Sequence, residues 1–254
     1  MRILLVLTVF VALVVLPVPA VTAQEPRWHE AEEGVFETIC EYRDDIAGQA
    51  ELFGVDPRLV AAILYVEKVQ YVLDDWLRLR HNLETAAAEY FFFIRDVLFW
   101  ADLSTGYCRI KPSFARQTRQ MLLEDSAAPA RLTADDVDPS LYYDSASLSI
   151  RIMCAGLYVL ERQWRNAGFD ISQSPEILAT LYNLGYEKSV PNAKPSSGGS
   201  DFPVINNGVF ITGMNFGERV LLVLEESVLL GRLFHDPSQG DTVLWDVILT
   251  EPVL

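Results

Sequence analysis

Histidine, cysteine and methionine are scarce in this chain. Its 254 residues include three histidines, three cysteines and four methionines. His29, His81 and His235 lie far apart, and none has a second His or a Cys at ligand spacing. The expectation is therefore no metal site and no zinc-type fold. There is no glycine-rich phosphate loop and no G-x-S-x-G elbow, which removes the nucleotide-cradling and nucleophile-elbow readings and leaves no cofactor implied. The "SSGGS" at 196–200 reads as a loop rather than a nucleophile site. Basic residues are in the minority, 20 Lys+Arg against 35 Asp+Glu, for a net charge of −15. Such a surface repels nucleic acid and anionic lipid, so neither is an expected partner. Few segments alternate with period two, and no internal repeat is evident.

The first residues read differently from the rest. Arg2 is a minimal positive start, Ile3 to Leu16 is apolar, Pro17 and Pro19 break the run, and Val21-Thr22-Ala23 supplies small residues. This pattern predicts a signal peptide over 1–23, with an uncleaved anchor as the competing reading. Cleavage would leave 19 Lys+Arg against 35 Asp+Glu, a charge of −16. No later run is long and apolar enough to span a membrane. An exported chain meets oxidising conditions, which permit one disulfide among Cys40, Cys108 and Cys154 without fixing the pair.

Helical punctuation dominates what remains. "EGVFETICEYRDDIAGQAELFG" reads as one helix ending at Gly54, and Asp56-Pro57 caps and starts the next. A helical run covers Trp76 to Ala101, a turn 104–106, and a helix starts near Pro112. A polar connector spans 126–140. Ser147 to Asn166 is a long amphipathic helix, and Ser174-Pro175-Glu176 caps and opens a short one stopping at Gly185. A Pro/Gly/Asn/Ser-rich loop follows Val190, then a last helix over 215–234, and "TVLWDVIL" reads as a short strand or tail. The class is mainly α, one domain over 24–254.

In "LVAAILYVEKVQY", Val60, Ile63, Leu64, Glu67 and Tyr71 share one helix face. A carboxylate in that stripe is either half of a structural ion pair or a general acid. Other stretches bear on the choice. "GYCRIKPSFA" carries Gly106, Ile110, Pro112 and Ala115 at the spacing of a "GLMQ-I-M-P-x-T-A" signature. "FGVDP" and "LVAAILYVEK" resemble "YGVDP" and "LVAAIIxxES". "LATLYNLG" resembles "ALAAYNAG" through Tyr182, Asn183 and Gly185. "RIMCAGLYVL" resembles "NIxxGxxYL" through Ile152 and Tyr158.

Taken in chain order, the stretches resemble the lytic transglycosylase (SLT-type) domain of the lysozyme-like superfamily, over about residues 45–190. The resemblance implies a lysozyme-like helical domain with an extension over 191–254. It also implies cleavage of the MurNAc–GlcNAc bonds of peptidoglycan glycan strands in the bacterial periplasm or outside the cell. Glu67 would be the single catalytic acid/base. Arg109 and Tyr107 from the signature, with Tyr182 and Asn183, would contact substrate. Tyr182 would orient the Glu67 carboxyl through its hydroxyl, and Asn183 would bond an N-acetyl group or the backbone. For Tyr182 and Asn183, helix-end packing and capping is the competing role. Asp74, Asp75, Asp102 and Asp144 remain available as partners for a hydrolytic variant.

Three departures are visible. Lys68 replaces the family's Ser, Arg109 its Gln, and the interval from Glu67 to Gly106 is long and rich in aromatics. They keep open a rival reading, a catalytically impaired lysozyme-fold protein that binds glycan or an envelope protein. The aromatic run itself reads as core packing.

Overall fold

The computed structural model describes residues 26–73, 107–195, 215–227, 230, 233 and 234, with side chains described from 34 and, in the third helix, as far as Val69. It is mainly helical, and no strand occurs among the described residues. The expected helix over 76–101, the turn at 104–106, the "TVLWDVIL" strand and the 1–23 leader lie outside them.

The stretch expected as one helix ending at Gly54 is two, α1 (Pro26–Glu41) and α2 (Arg43–Phe53). Tyr42 breaks it with φ −100° and ψ 16°. The break brings the Tyr42 ring to 4.9 Å from that of Tyr107. At the far end Gly54 takes φ 67°, a conformation that costs a glycine little. Its N–H reaches the Glu51 carbonyl at 3.2 Å, and the Val55 N–H reaches that of Ala50 at 2.9 Å. These paired bonds satisfy the last carbonyls and reverse the chain. Asp56 then accepts the Arg58 N–H at 2.8 Å and Pro57 opens α3 (Pro57–Leu73).

α3 is the central helix. Ala61 and Ala62 are as fully buried as Val60, Ile63 and Leu64, so its apolar surface extends well beyond one stripe. α4 (Pro112–Glu124) buries Phe114, Ala115, Thr118 and Leu122 on one face. The connector after it contains a 3₁₀ turn (Asp135–Val137) and a short helix, α5 (Pro139–Tyr142). It is less polar in effect than its composition predicts, because Leu132 and Val137 anchor it in the core.

α6 (Ala146–Asn166) starts where the Ser145 hydroxyl accepts the Leu148 N–H at 3.2 Å. α4 lies so close that a Cβ on Gly156 would stand 2.4 Å from the Phe114 ring. α7 (Pro175–Leu184) opens without the expected side-chain cap from Ser174. The Ser174 carbonyl instead accepts from Ile177 and Leu178.

α8 (Phe216–Glu226) opens with a reciprocal capping box between Asn215 and Glu218. The last expected helix is interrupted at Ser227, whose conformation is extended. α8 packs on both α3 and α7, and Phe216 and Val220 join the same core as Val60 and Leu178. Gly217 makes this possible, since a Cβ there would stand 2.0 Å from the Glu176 carbonyl oxygen. α8 therefore braces the two helices that carry Glu67 and Asn183.

Candidate active site

The third turn of α3 brings Glu67 into the protein interior, where its side chain is 10% exposed. It meets residues from two distant segments. Asn183, near the C-terminal end of α7, donates from Nδ2 to Glu67 Oε1 at 3.2 Å. Arg109 brings Nε to 3.8 Å from Glu67 Oε2. That is charge-pair distance, longer than a hydrogen bond, so the guanidinium does not fork onto the carboxylate.

A cavity of about 100 Å³ opens beside the carboxyl, lined by Glu67, Arg109, Ile110, Lys111, Phe114, Tyr182, Asn183 and Gly185. Glu67 is the one carboxylate among the described residues of this lining, and Arg109 and Lys111 give it a cationic side. Among the described residues no cluster of three or more His, Cys, Asp or Glu side chains forms. No described helix is long and apolar enough to cross a membrane. Asp144 is exposed and outside the lining, while Asp74, Asp75 and Asp102 lie outside the described residues.

Two expected roles are exchanged. Tyr182 does not bond Glu67; its hydroxyl donates to the Cys108 carbonyl at 3.1 Å. Burial pushes this phenol well above its ordinary value, so it stays a donor. Asn183, expected on the substrate or backbone, orients the acid instead. The physical reason is helical register, since adjacent residues point about 100° apart and one of the two faces the loop while the other faces α3. Tyr107, expected on substrate, is absent from the cavity lining. Its ring packs against Tyr42 and lies under the Lys68 ammonium, 4.1 Å from the ring centre.

The aromatic wall is layered. Phe114 stacks on Tyr186 at 4.7 Å and meets Tyr182 edge-on at 5.4 Å. The Tyr186 hydroxyl reaches Thr118 at 2.9 Å. Sequence reading did not single out Phe114, Lys111 or Tyr186. Phe114 and Lys111 flank the matched signature positions, and that proximity was the available signal. All three cysteines are free thiols. Burial pushes Cys40 up to about 11, Cys154 to about 12, and Cys108 well above its ordinary value.

No protein-family model, curated protein or solved structure matches this chain.

Proposed function

We propose that the chain is a lysozyme-like, glycan-cleaving enzyme of the lytic transglycosylase type. On this reading it acts on MurNAc–GlcNAc bonds of peptidoglycan strands in the bacterial envelope. The observation that carries the reading is a convergence. Glu67, Ile110, Tyr182 and Asn183, matched from three separate stretches, line one cavity in which Glu67 is the one carboxylate among the described residues.

In the proposed reaction Glu67 gives its proton to the glycosidic oxygen as the bond to C1 breaks. The muramic C6 hydroxyl closes onto C1 and its proton passes to the Glu67 carboxylate. The product is a 1,6-anhydro sugar, no water is consumed, and Glu67 ends protonated as it began. The Asn183 amide holds Oε1 and stabilises the intermediate carboxylate, leaving Oε2 to serve the reacting oxygens. Arg109 and Lys111 receive an anionic group of the strand, such as the carboxylate carried by the muramic unit.

A second reading is favoured by one distance. Arg109 stands 3.8 Å from Glu67, the distance of a structural ion pair, which is the competing role for a carboxylate on this helix face. A protein so arranged binds glycan, or an envelope partner, without cutting it. Digestion of purified peptidoglycan with wild type and Glu67→Gln separates the two. Soluble fragments from the wild type alone support the enzyme; binding without release by either protein supports the binder.

A further inference from the structure

Lys68 and Tyr107 are the two residues near the site that the proposed chemistry leaves unused. On α3 Lys68 follows Glu67, so its side chain leaves the helix about 100° away. It does not enter the cavity lining. Its ammonium sits over the face of Tyr107, the first described residue of the loop carrying Arg109. Burial pushes that ammonium down from its ordinary value. The ring face supplies attraction where water has been lost.

The loop is gripped on both sides of Arg109. Tyr107 is held between Lys68 on its face and the Tyr42 ring at 4.9 Å and 60°. Its buried hydroxyl has no hydrogen-bond partner, so the hydroxyl does not fix the ring. Cys108 is held by its carbonyl, which accepts from Tyr182. Ile110 is buried, and Pro112 begins α4. Between these anchors Arg109 takes φ 51°, the one positive φ outside glycine among the described residues. Such a conformation is held by its surroundings rather than by the residue itself.

We propose that Lys68 and Tyr107 are positioning residues: their cation–π contact pins the loop and fixes the Arg109 guanidinium beside the Glu67 carboxyl. The contact couples two positions that depart from the resembled signature. Lys68 supplies the clamp, and Arg109 is the group it sets. The placement of Arg109 is independent of the enzymatic reading; only its effect on turnover rests on that reading.

The test reads the Arg109 Nε–H resonance by NMR, with melting to confirm folding. In the wild-type background Glu67→Gln shifts this resonance, because the neighbouring charge is removed. In Lys68→Met that response collapses, as it does in Lys68→Gln and Tyr107→Leu. Lys68→Arg and Tyr107→Phe retain it, since each keeps a cation over an aromatic face. In digestion of peptidoglycan, Lys68→Met raises KM about fivefold with kcat little changed, a factor within reach of one cation–π contact, and Lys68→Arg reverses the change. A full-sized response of Arg109 to Glu67→Gln in folded Lys68→Met or Lys68→Gln overturns the proposal, whether or not the protein cleaves glycan. Absence of cleavage by the wild type, with the NMR response lost as stated, overturns the enzymatic reading and leaves the clamp standing.

Discussion

Two carboxylates on different helices, Glu67 in α3 and Asp125 at the end of α4, have similar neighbours and different surroundings. Asp125, just beyond α4, accepts the Ala127 N–H at 2.9 Å and the Tyr158 hydroxyl at 2.9 Å, with Arg162 Nε at 3.4 Å. Those contacts, the Ala127 N–H foremost, hold it below the usual carboxylate range. Glu67 is more buried and has less: one amide at 3.2 Å and a guanidinium at 3.8 Å. A carboxylate has about four acceptor sites. Asp125 uses two of them, and a neighbouring guanidinium, on structure, and its Tyr158 partner ties α6 to the end of α4. Glu67 keeps Oε2 beside an open cavity. Burial with spare capacity is the pattern of a functional site, whereas several structural partners are the pattern of a brace.

The comparison breaks most readily at Glu67. Glu67→Gln keeps an acceptor for Asn183 and removes the proton donor, so cleavage should fall by about a thousandfold. The melting temperature should stay within about 2 °C of wild type, a shift of at most about 1 kcal/mol. Parallel fragment-release and melting measurements check both halves, and retained cleavage would move the chemistry elsewhere. Asn183→Ala removes the one direct hydrogen bond to that carboxylate. Turnover should drop about ten- to a hundredfold, the worth of one bond to a charged group. An unchanged kcat would return Asn183 to helix-end packing.

Arg109→Gln restores the resembled residue. The account expects KM for peptidoglycan to rise severalfold with Glu67-dependent kcat retained, read from substrate-concentration series. A severalfold gain in kcat would instead mean that the guanidinium suppresses the acid. Asp125→Asn should give the smallest effect on function, with cleavage within twofold of wild type. It should cost about 1 kcal/mol of stability, measured by denaturant unfolding. The sign of its pH dependence follows from a depressed folded value. Its contribution is present above the unfolded carboxylate range, near 4, and is lost as pH falls through the lower folded value. The acid limb of stability should therefore be steeper in wild type than in Asp125→Asn. Parallel limbs would deny Asp125 its bracing role.

Much of this contrast was legible in sequence. Punctuation residues act locally, so Gly54, Pro57, Pro112 and Gly185 fixed element ends correctly. The apolar stripe with Glu67 in its middle singled out the acid. What eluded sequence depends on contacts between elements. Tyr42 breaks its helix although no breaker residue stands there; its ring meets Tyr107, which lies 65 positions on in the chain. The exchange of roles between Tyr182 and Asn183 turns on helix rotation, which the spacing of one short helix does not set. The brace formed by α8 depends on Gly217 meeting the Glu176 carbonyl, a contact without any local signature.

The central claim is that one carboxyl cleaves glycan with the substrate's own hydroxyl as nucleophile. Digestion of peptidoglycan in heavy-oxygen water, followed by mass spectrometry of the released fragments, tests it most directly. The account predicts fragments ending in 1,6-anhydro sugars, each lighter by one water than a hydrolytic product and free of the heavy label, and none from Glu67→Gln. Labelled reducing ends, the same products from Glu67→Gln, or no cleavage by the wild type would contradict it.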